Sequence, residues 1–373
     1  MRLLDGLHWL MGNLKKNLFH ELENHWETKL TEKEIKLITI LEILEIEKHL
    51  LWKSTTQIMG RKLKEREAIA RSFVAKSVYG FSTTRALIEA ITTAGSLRRI
   101  CGFEYISCIP SESTFSRAFA EFAECGLGEK VHDELVKKHL KEELIGHISR
   151  DSTNIVGREK PIRKKNEATK TTKRTTKKKG RPRKDERRDT KELTRLERQQ
   201  GKSFQEALNE LPTNCDCGAK KNSKGFKETW IGFKLHVDVN DCGLPISAVL
   251  TSASLHDSQV AIPLMKMTSA KINYCYDVMD AAYDAEAINK VSKELGHVPI
   301  IDKNPRNEKE PIPMAPHEKI RYKERTVVER FNSRIKEEFG ANNVMVRGAK
   351  KVKSHLMFGV IAIFADHLIK LVT

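Results

Sequence analysis

Apolar residues recur at helical spacing over Leu37 to Leu51 and Thr84 to Thr93, and nothing before about residue 130 alternates strictly, so the N-terminal region reads as all-α. Pro110-Ser111-Glu112-Ser113-Thr114 forms a helix start, followed by Phe115, Phe119 and Phe122 at i, i+4 and i+7 with Ser116 and Arg117 on the other side. That spacing suits a core-packing helix and equally the recognition helix of a helix-turn-helix. Near residue 144 the pattern changes. Leu144 to Val156 reads as a strand with Asp151 in its middle, and Gly157 to Gly225 as a Lys/Arg/Thr-rich surface insertion with one helix at Glu192 to Leu211. From Trp230 to Val239, Ile231, Phe233, Leu235, Val237 and Val239 alternate with Gly232, Lys234, His236 and Asp238, which predicts a strand with a polar face. Asn240-Asp241-Cys242-Gly243 is turn chemistry, and Ile246, Ala248 and Leu250 continue on a hairpin partner. A helix from Asp257 or Ser258, with Asp257 as its N-cap, precedes a strand at Tyr274 to Met279 and a helix at Asp284 to Leu295. Val298 to Ile301 is a short strand that Pro299 confines to a sheet edge, and a long helix spans Arg321 to Phe339.

The order β, insertion, β, β, α, β, α, β, α is the layout of an RNase H-like fold. The expected class is α/β: an RNase H-like catalytic domain with a basic insertion, preceded by an all-α N-terminal domain. Boundaries fall at 1–130 (helical, for DNA binding or oligomerisation), 131–345 (catalytic, with insertion 157–226) and 346–373 (a C-terminal helix packing on the catalytic domain).

Of the 373 residues 39% are hydrophobic, enough for real cores. The formal charge of +17 selects a polyanionic partner, and Arg158 to Lys184 carries 14 Lys/Arg against two Glu, which is most of that excess. Within it, Lys177-Lys178-Lys179-Gly180-Arg181-Pro182-Arg183-Lys184 has the form of a minor-groove hook, and Lys179, Arg181 and Arg183 are candidate DNA contacts. Seven irregularly spaced cysteines read as reduced thiols; Cys215-x-Cys217 with Cys242 makes a poor zinc site. Met1 to Lys16 lacks the features of a signal peptide. His355 to Leu371 is apolar but interrupted by Asp366, His367 and Lys370, so no membrane span is expected and the location is cytoplasmic, with the nucleoid.

Phosphodiester chemistry with two divalent ions roughly 4 Å apart needs carboxylates converging from different elements. Asp151 within the first strand, Asp280 just past the Tyr274 to Met279 strand, and Glu329 in the last helix occupy neighbouring places in an RNase H-like sheet. Taken singly, Asp151 reads as a solvated strand acid and Asp280 as a turn residue. The helix decides between these readings: Tyr322, Arg325, Glu329 and Lys336 fall within about 60° on one face, with Val328, Phe331, Ile335 and Phe339 on another. An acid flanked by Arg and Lys suits a phosphate, whereas an arbitrary charge pattern would be a salt-bridged exposed face. Lys234 and His236, on the polar face of the second strand, either approach DNA or are simply wet.

Tyr322-x2-Arg325-x3-Glu329-x6-Lys336 resembles the Tyr-Arg-Glu-Lys signature of DDE transposases of bacterial insertion sequences, and Met279-Asp280-Ala281-Ala282-Tyr283-Asp284 resembles their second-acid block. Arg150 to Thr153, Gly232 to His236 and Leu250 to Asp257 are similar too, and the likeness is weaker over residues 1–100. The resemblance implies that Asp151, Asp280 and Glu329 are catalytic and ligate two Mg²⁺ or Mn²⁺ ions, while Tyr322, Arg325 and Lys336 hold phosphates. It further implies hydrolysis at the 3′ ends of the element, then attack of the freed 3′-OH on target DNA, by a homo-oligomer on double-stranded DNA (terminal inverted repeats and target). Unlike many such proteins, this chain places only 48 residues between Asp280 and Glu329, and its long spacer lies between Asp151 and Asp280. A transposase relic that only binds DNA, and an RNase H-like nuclease that does not join strands, are the competing readings; intact acids oppose the first and the Tyr/Arg/Glu/Lys face opposes the second.

Overall fold

The computed structural model describes residues 30–50, 66–161, 193–221, 225–304 and 313–372. At its centre lies β1 (Leu144–Val156), flanked on one side by antiparallel β3 (Lys227–Asn240) and on the other by parallel β5 (Asn273–Met279). Both edges are then extended. β2 (Asp216–Lys221) pairs the first half of β3 and β4 (Pro245–Ser252) its second half, while β6 (Val298–Ile301) adds in parallel to β5 with Pro299 opposite Asp277. Three antiparallel strands followed by two parallel ones is the expected RNase H-like order. The β1 and β3 register brings Val156 against Gly232, where a Cβ would lie 2.1 Å from the Ile155 carbonyl oxygen; glycine alone permits that approach.

Side-chain alternation gives the sheet two different faces. Toward one face point Ser149 and Asp151, beneath α12 (Thr326–Glu337), whose Val327, Val328, Phe331 and Ile335 are buried. The other face, with Arg150, is covered by α9 (Ser258–Ser269) and α10 (Glu286–Glu294). The N-terminal helices are α1 (Glu32–Leu44), α2 (Arg66–Tyr79), α3 (Thr84–Thr93), α4 (Gly95–Ile100), α5 (Glu112–Cys125) and α6 (Leu127–Leu140). Phe115, Phe119 and Phe122 of α5 are all buried and surround Phe73 at ring distances of 6.0, 4.8 and 6.4 Å, so the aromatic stripe is core. Ser116 and Arg117 face outward.

The C-terminal helix α13 (Ala349–Val372) is long and apolar enough to cross a membrane by length and composition, contrary to the sequence reading, but 83% of its most apolar window is buried. Its Phe358, Ile361 and Phe364 join the N-terminal helices to β4 in one continuous core, so α13 packs on both regions. Asp366, 3% exposed, is held there by Lys36 at 2.6 Å, Lys370 at 3.1 Å and Arg334.

Two expectations about the insertion are revised. The helix expected over Glu192 to Leu211 is two short ones, α7 (Arg195–Gln200) and α8 (Phe204–Asn209), because Ser203 caps a new start through Glu206. Nor is the segment merely a surface appendage. Lys266 of α9 binds the carbonyls of Gln199, Gln200 and Lys202, and β2 is part of the sheet. The hook-like stretch with Lys179, Arg181 and Arg183 lies outside the described residues.

Candidate active site

Strand alternation at β1 sends Asp151 to the α12 face, where the Asn332 amide donates to its Oδ2 at 3.2 Å. Asp280 directly follows β5 and opens the turn Ala281–Tyr283, accepting from the Ala282 N–H at 2.9 Å. That caps the turn with one oxygen and leaves the other carboxylate oxygen facing Arg325. Glu329 lies in the first turn of α12, exposed and in line with the helix N-terminus. Arg325 stands between the acids. Its Nη1 donates to Glu329 Oε1 at 2.7 Å and its Nη2 lies 3.9 Å from Asp280 Oδ2.

Burial, then the neighbouring Asp280, raises the Asp151 carboxyl from its usual 3.8 to about 6, against the Ser152 N–H, Arg325 and Lys220. Asp151 thus feels both the second acid and the Arg325 guanidinium, and loss of hydration is the main reason its carboxyl stands high. Lys220, on the inserted strand β2, is close enough to act on both Asp151 and Lys336, and Lys336 donates to Asn154 Oδ1, three residues past Asp151 on β1. Burial and then Lys220 push the Lys336 ammonium down. Tyr322 is half-buried, its phenol raised by burial and by Asp302, Asp280 and Glu329 against the pull of Arg325.

The continuous helix expected over Arg321 to Phe339 is broken into α11 (Pro316–Tyr322), a tight 3₁₀ turn at Lys323–Arg325, and α12. Two carbonyls explain the break: Ser149 Oγ on β1 donates to Glu324 O at 3.0 Å, and Thr326 Oγ1 to Lys323 O at 3.0 Å. Arg325, Glu329 and Lys336 still flank the acids, while Tyr322 approaches from the end of a separate helix.

On the strand β3, two assignments change. His236 is 1% exposed and bonded to Thr251 Oγ1 at 2.9 Å, so it is not on a wet face; α9 covers it. Asp257 makes no cap bond to α9 and instead accepts Lys234 Nζ at 2.9 Å. Below Asp151, Arg150 is fully buried and bound to Asp238 at 2.6 Å and Asp277 at 3.2 Å. Thr268 donates to the same Asp238 oxygen as Arg150, and Tyr274 and Ser292 donate to the two oxygens of Asp277, tying β1, β3 and β5 together. Sequence patterning passed over this network because a charged residue on a buried strand face looks like a solvated one. Asn332, three residues after Glu329 on the same helix face, carried a signal that helical periodicity could have found.

Residues 147–365 match the family model described as a transposase DDE domain, more than half of the chain. The chain belongs to the DDE transposases. A second model, described as a transposase domain, matches residues 25–121 of the helical region, and the two together are the combination found in bacterial insertion-sequence transposases. Neither the curated proteins nor the solved structures contain a match. Membership makes DNA the partner and implies a divalent ion. Among the described residues of this transposase, no three acidic, histidine or cysteine side chains are already closed to metal-ligand spacing, since Arg325 occupies the space between Asp280 and Glu329. The donor set nonetheless fits a hard cation: oxygen ligands from separate elements, one of them a desolvated carboxylate beside a second acid. All seven cysteines are free thiols, and none takes part in such a group.

Proposed function

We propose that this transposase cleaves the ends of its insertion sequence and joins the freed 3′-OH to target DNA, with Asp151, Asp280 and Glu329 as the catalytic acids. The observation that carries the reading is the shared engagement of Arg325 by Asp280 and Glu329 beside the desolvated Asp151. These three carboxylates would hold two Mg²⁺ or Mn²⁺ ions, which when bound activate the attacking oxygen and offset charge on the leaving one.

The protein's own groups do the rest. Asn332 fixes the rotamer of Asp151 through one oxygen, and the Ala282 N–H fixes Asp280, so neither acid must reorganise during reaction. Arg325 and Lys336 flank the acids with a fork and a point charge suited to the non-bridging oxygens of the scissile and adjacent phosphates. Tyr322 borders the same space from α11. In-line attack by water and then by the 3′-OH needs no covalent enzyme intermediate. The helical region and the basic segment with Lys179, Arg181 and Arg183 supply further DNA contacts and assembly of a homo-oligomer on paired ends, in the nucleoid of the cytoplasm.

The test uses the full chain, Mg²⁺ and a duplex carrying the inverted repeats that bracket its gene, with a supercoiled plasmid as target. The reading predicts nicks at the repeat termini and covalent repeat–plasmid joints, both lost on chelation. Nicks without joints would favour the nuclease reading, and binding without nicks the relic.

A further inference from the structure

Three alternate residues of β1 each hold the stretch that leads from α11 into α12. Asp151 accepts from the Asn332 amide at 3.2 Å, Ser149 donates to the Glu324 carbonyl at 3.0 Å, and His147 meets Arg321 at 3.2 Å. Spacing by two places all three on the same face of the strand. The first contact belongs to the acids and the second to the helix break; the third serves neither. α11, which ends in Tyr322, has no buried residue, and its Ile320 is 67% exposed. A helix with no buried face gains little from apolar packing, so polar contacts must hold it to the sheet. Among the described residues, Arg321 is the residue of α11 whose side chain bonds to the sheet.

The receiving side is built from three strand-end residues. His147 and Tyr276 are partners in the parallel register of β1 and β5, and their rings stack at 5.0 Å and 22°. The Arg321 guanidinium lies 4.1 Å from the centre of the Tyr276 ring, a cation–π contact, and its Nη1 reaches His147 Nε2. Arginine can only donate, so Nε2 accepts and the ring carries its proton on Nδ1. Nδ1 in turn donates to Asp241 Oδ1 at 2.9 Å, and the His147 backbone N–H donates to both oxygens of that carboxylate at 3.0 Å. Asp241 therefore fixes both the tautomer and the direction of the ring. Gly146 leaves it room, since a Cβ there would lie 2.7 Å from Asp241 Oδ2.

We propose that His147, Tyr276 and Asp241 form a docking site for Arg321 that seats α11, and so positions Tyr322 and Arg325 against the phosphate. Arg321 is then a positioning residue and not itself a phosphate contact. The positioning role rests on the functional reading given above; the docking of α11 does not.

The experiment compares full-length wild type with Arg321→Met, His147→Leu and His147→Gln, and with Tyr322→Ala alone and combined with Arg321→Met. Hydrogen exchange without DNA reads the docking: in Arg321→Met and His147→Leu the amides of 316–325 should exchange about tenfold faster or more, while the sheet keeps its protection. His147→Gln can set an oxygen where Nε2 stood and should keep most of the protection. With the inverted-repeat duplex and Mg²⁺, Arg321→Met and His147→Leu should cleave about tenfold slower or more, and His147→Gln should recover most of the rate. The slope of log affinity against log salt should stay unchanged in Arg321→Met, whereas loss of one phosphate contact would flatten it by about 0.9. Added to Tyr322→Ala, Arg321→Met should cost less than it does in wild type, because the two act through one group. Unchanged exchange overturns the docking and the positioning role together. A flattened slope, undiminished cleavage, or losses that multiply in full with Tyr322→Ala overturn the positioning role. If wild type itself leaves the duplex uncut, the functional reading fails and the positioning role with it, while exchange still decides the docking.

Discussion

Replacing Asp151 with Asn should make the metal-free protein more stable and the enzyme inactive. The Asn332 amide can still donate to the oxygen of an asparagine, so the perturbation removes a charge and keeps the packing. A carboxyl raised from 3.8 to about 6 in the folded state favours folding below about pH 4, and that contribution disappears as pH rises through about 6. The difference in proton affinity corresponds to at most about 3 kcal/mol. Buried histidines act the other way over the same range: His132, His139, His236 and His355 are each lowered to about 4 by burial first, and charging them in acid destabilises the fold. The informative quantity is therefore the difference between variant and wild type, in which the histidines cancel. Urea unfolding in chelator should show Asp151→Asn and wild type alike near about pH 4, with the variant ahead by up to about 3 kcal/mol near about pH 7. Added Mg²⁺ should stabilise wild type and not the variant, shrinking the gap. A difference that is flat across this pH range, or a wild type that is the more stable in chelator at neutral pH, would refute the account of an acid raised by desolvation.

Arg150→Met should destabilise by about 3–5 kcal/mol, since Asp238 and Asp277 would be left buried without their counter-ion, and a circular-dichroism melt reads the loss. Asp366, which burial would raise but bonds from Lys36 and Arg334 bring down to about 2, adds about 2 kcal/mol of stability above about pH 4 that vanishes as pH falls toward about 2. Asp366→Asn should remove that acid-side loss, and an unchanged acid limb would argue against the Lys36–Asp366–Arg334 link. Deleting Lys164 to Lys184 should weaken DNA binding and flatten its salt dependence by several counterions, measurable by fluorescence anisotropy; a steady slope would free the segment of DNA contact.

The strands and their order were legible because alternation and turn residues are local: Leu144–Val156 and the Asn240 to Gly243 turn follow directly from residue spacing. Pro299 likewise announced an edge by lacking an amide hydrogen. The break in the last helix was not legible, for its cause is a hydroxyl on β1, about 175 residues away, that takes the Glu324 carbonyl. His236 and Asp238 misled for a related reason. Polar positions on a strand look wet until the covering helix is known, and α9 covers these. The candidate acids were picked out by their spacing within motifs, whereas the Asn332 contact to Asp151 depends on which elements meet in space.

The most direct measurement is cleavage of the inverted-repeat duplex by Glu329→Gln in Mg²⁺, alongside its affinity for the same duplex. Glutamine keeps the shape and removes the charge of one shared ligand, so the account predicts intact binding and cleavage reduced to background. Cleavage at the wild-type rate would show that Glu329 is no part of the catalytic centre, and the three-acid site would fall.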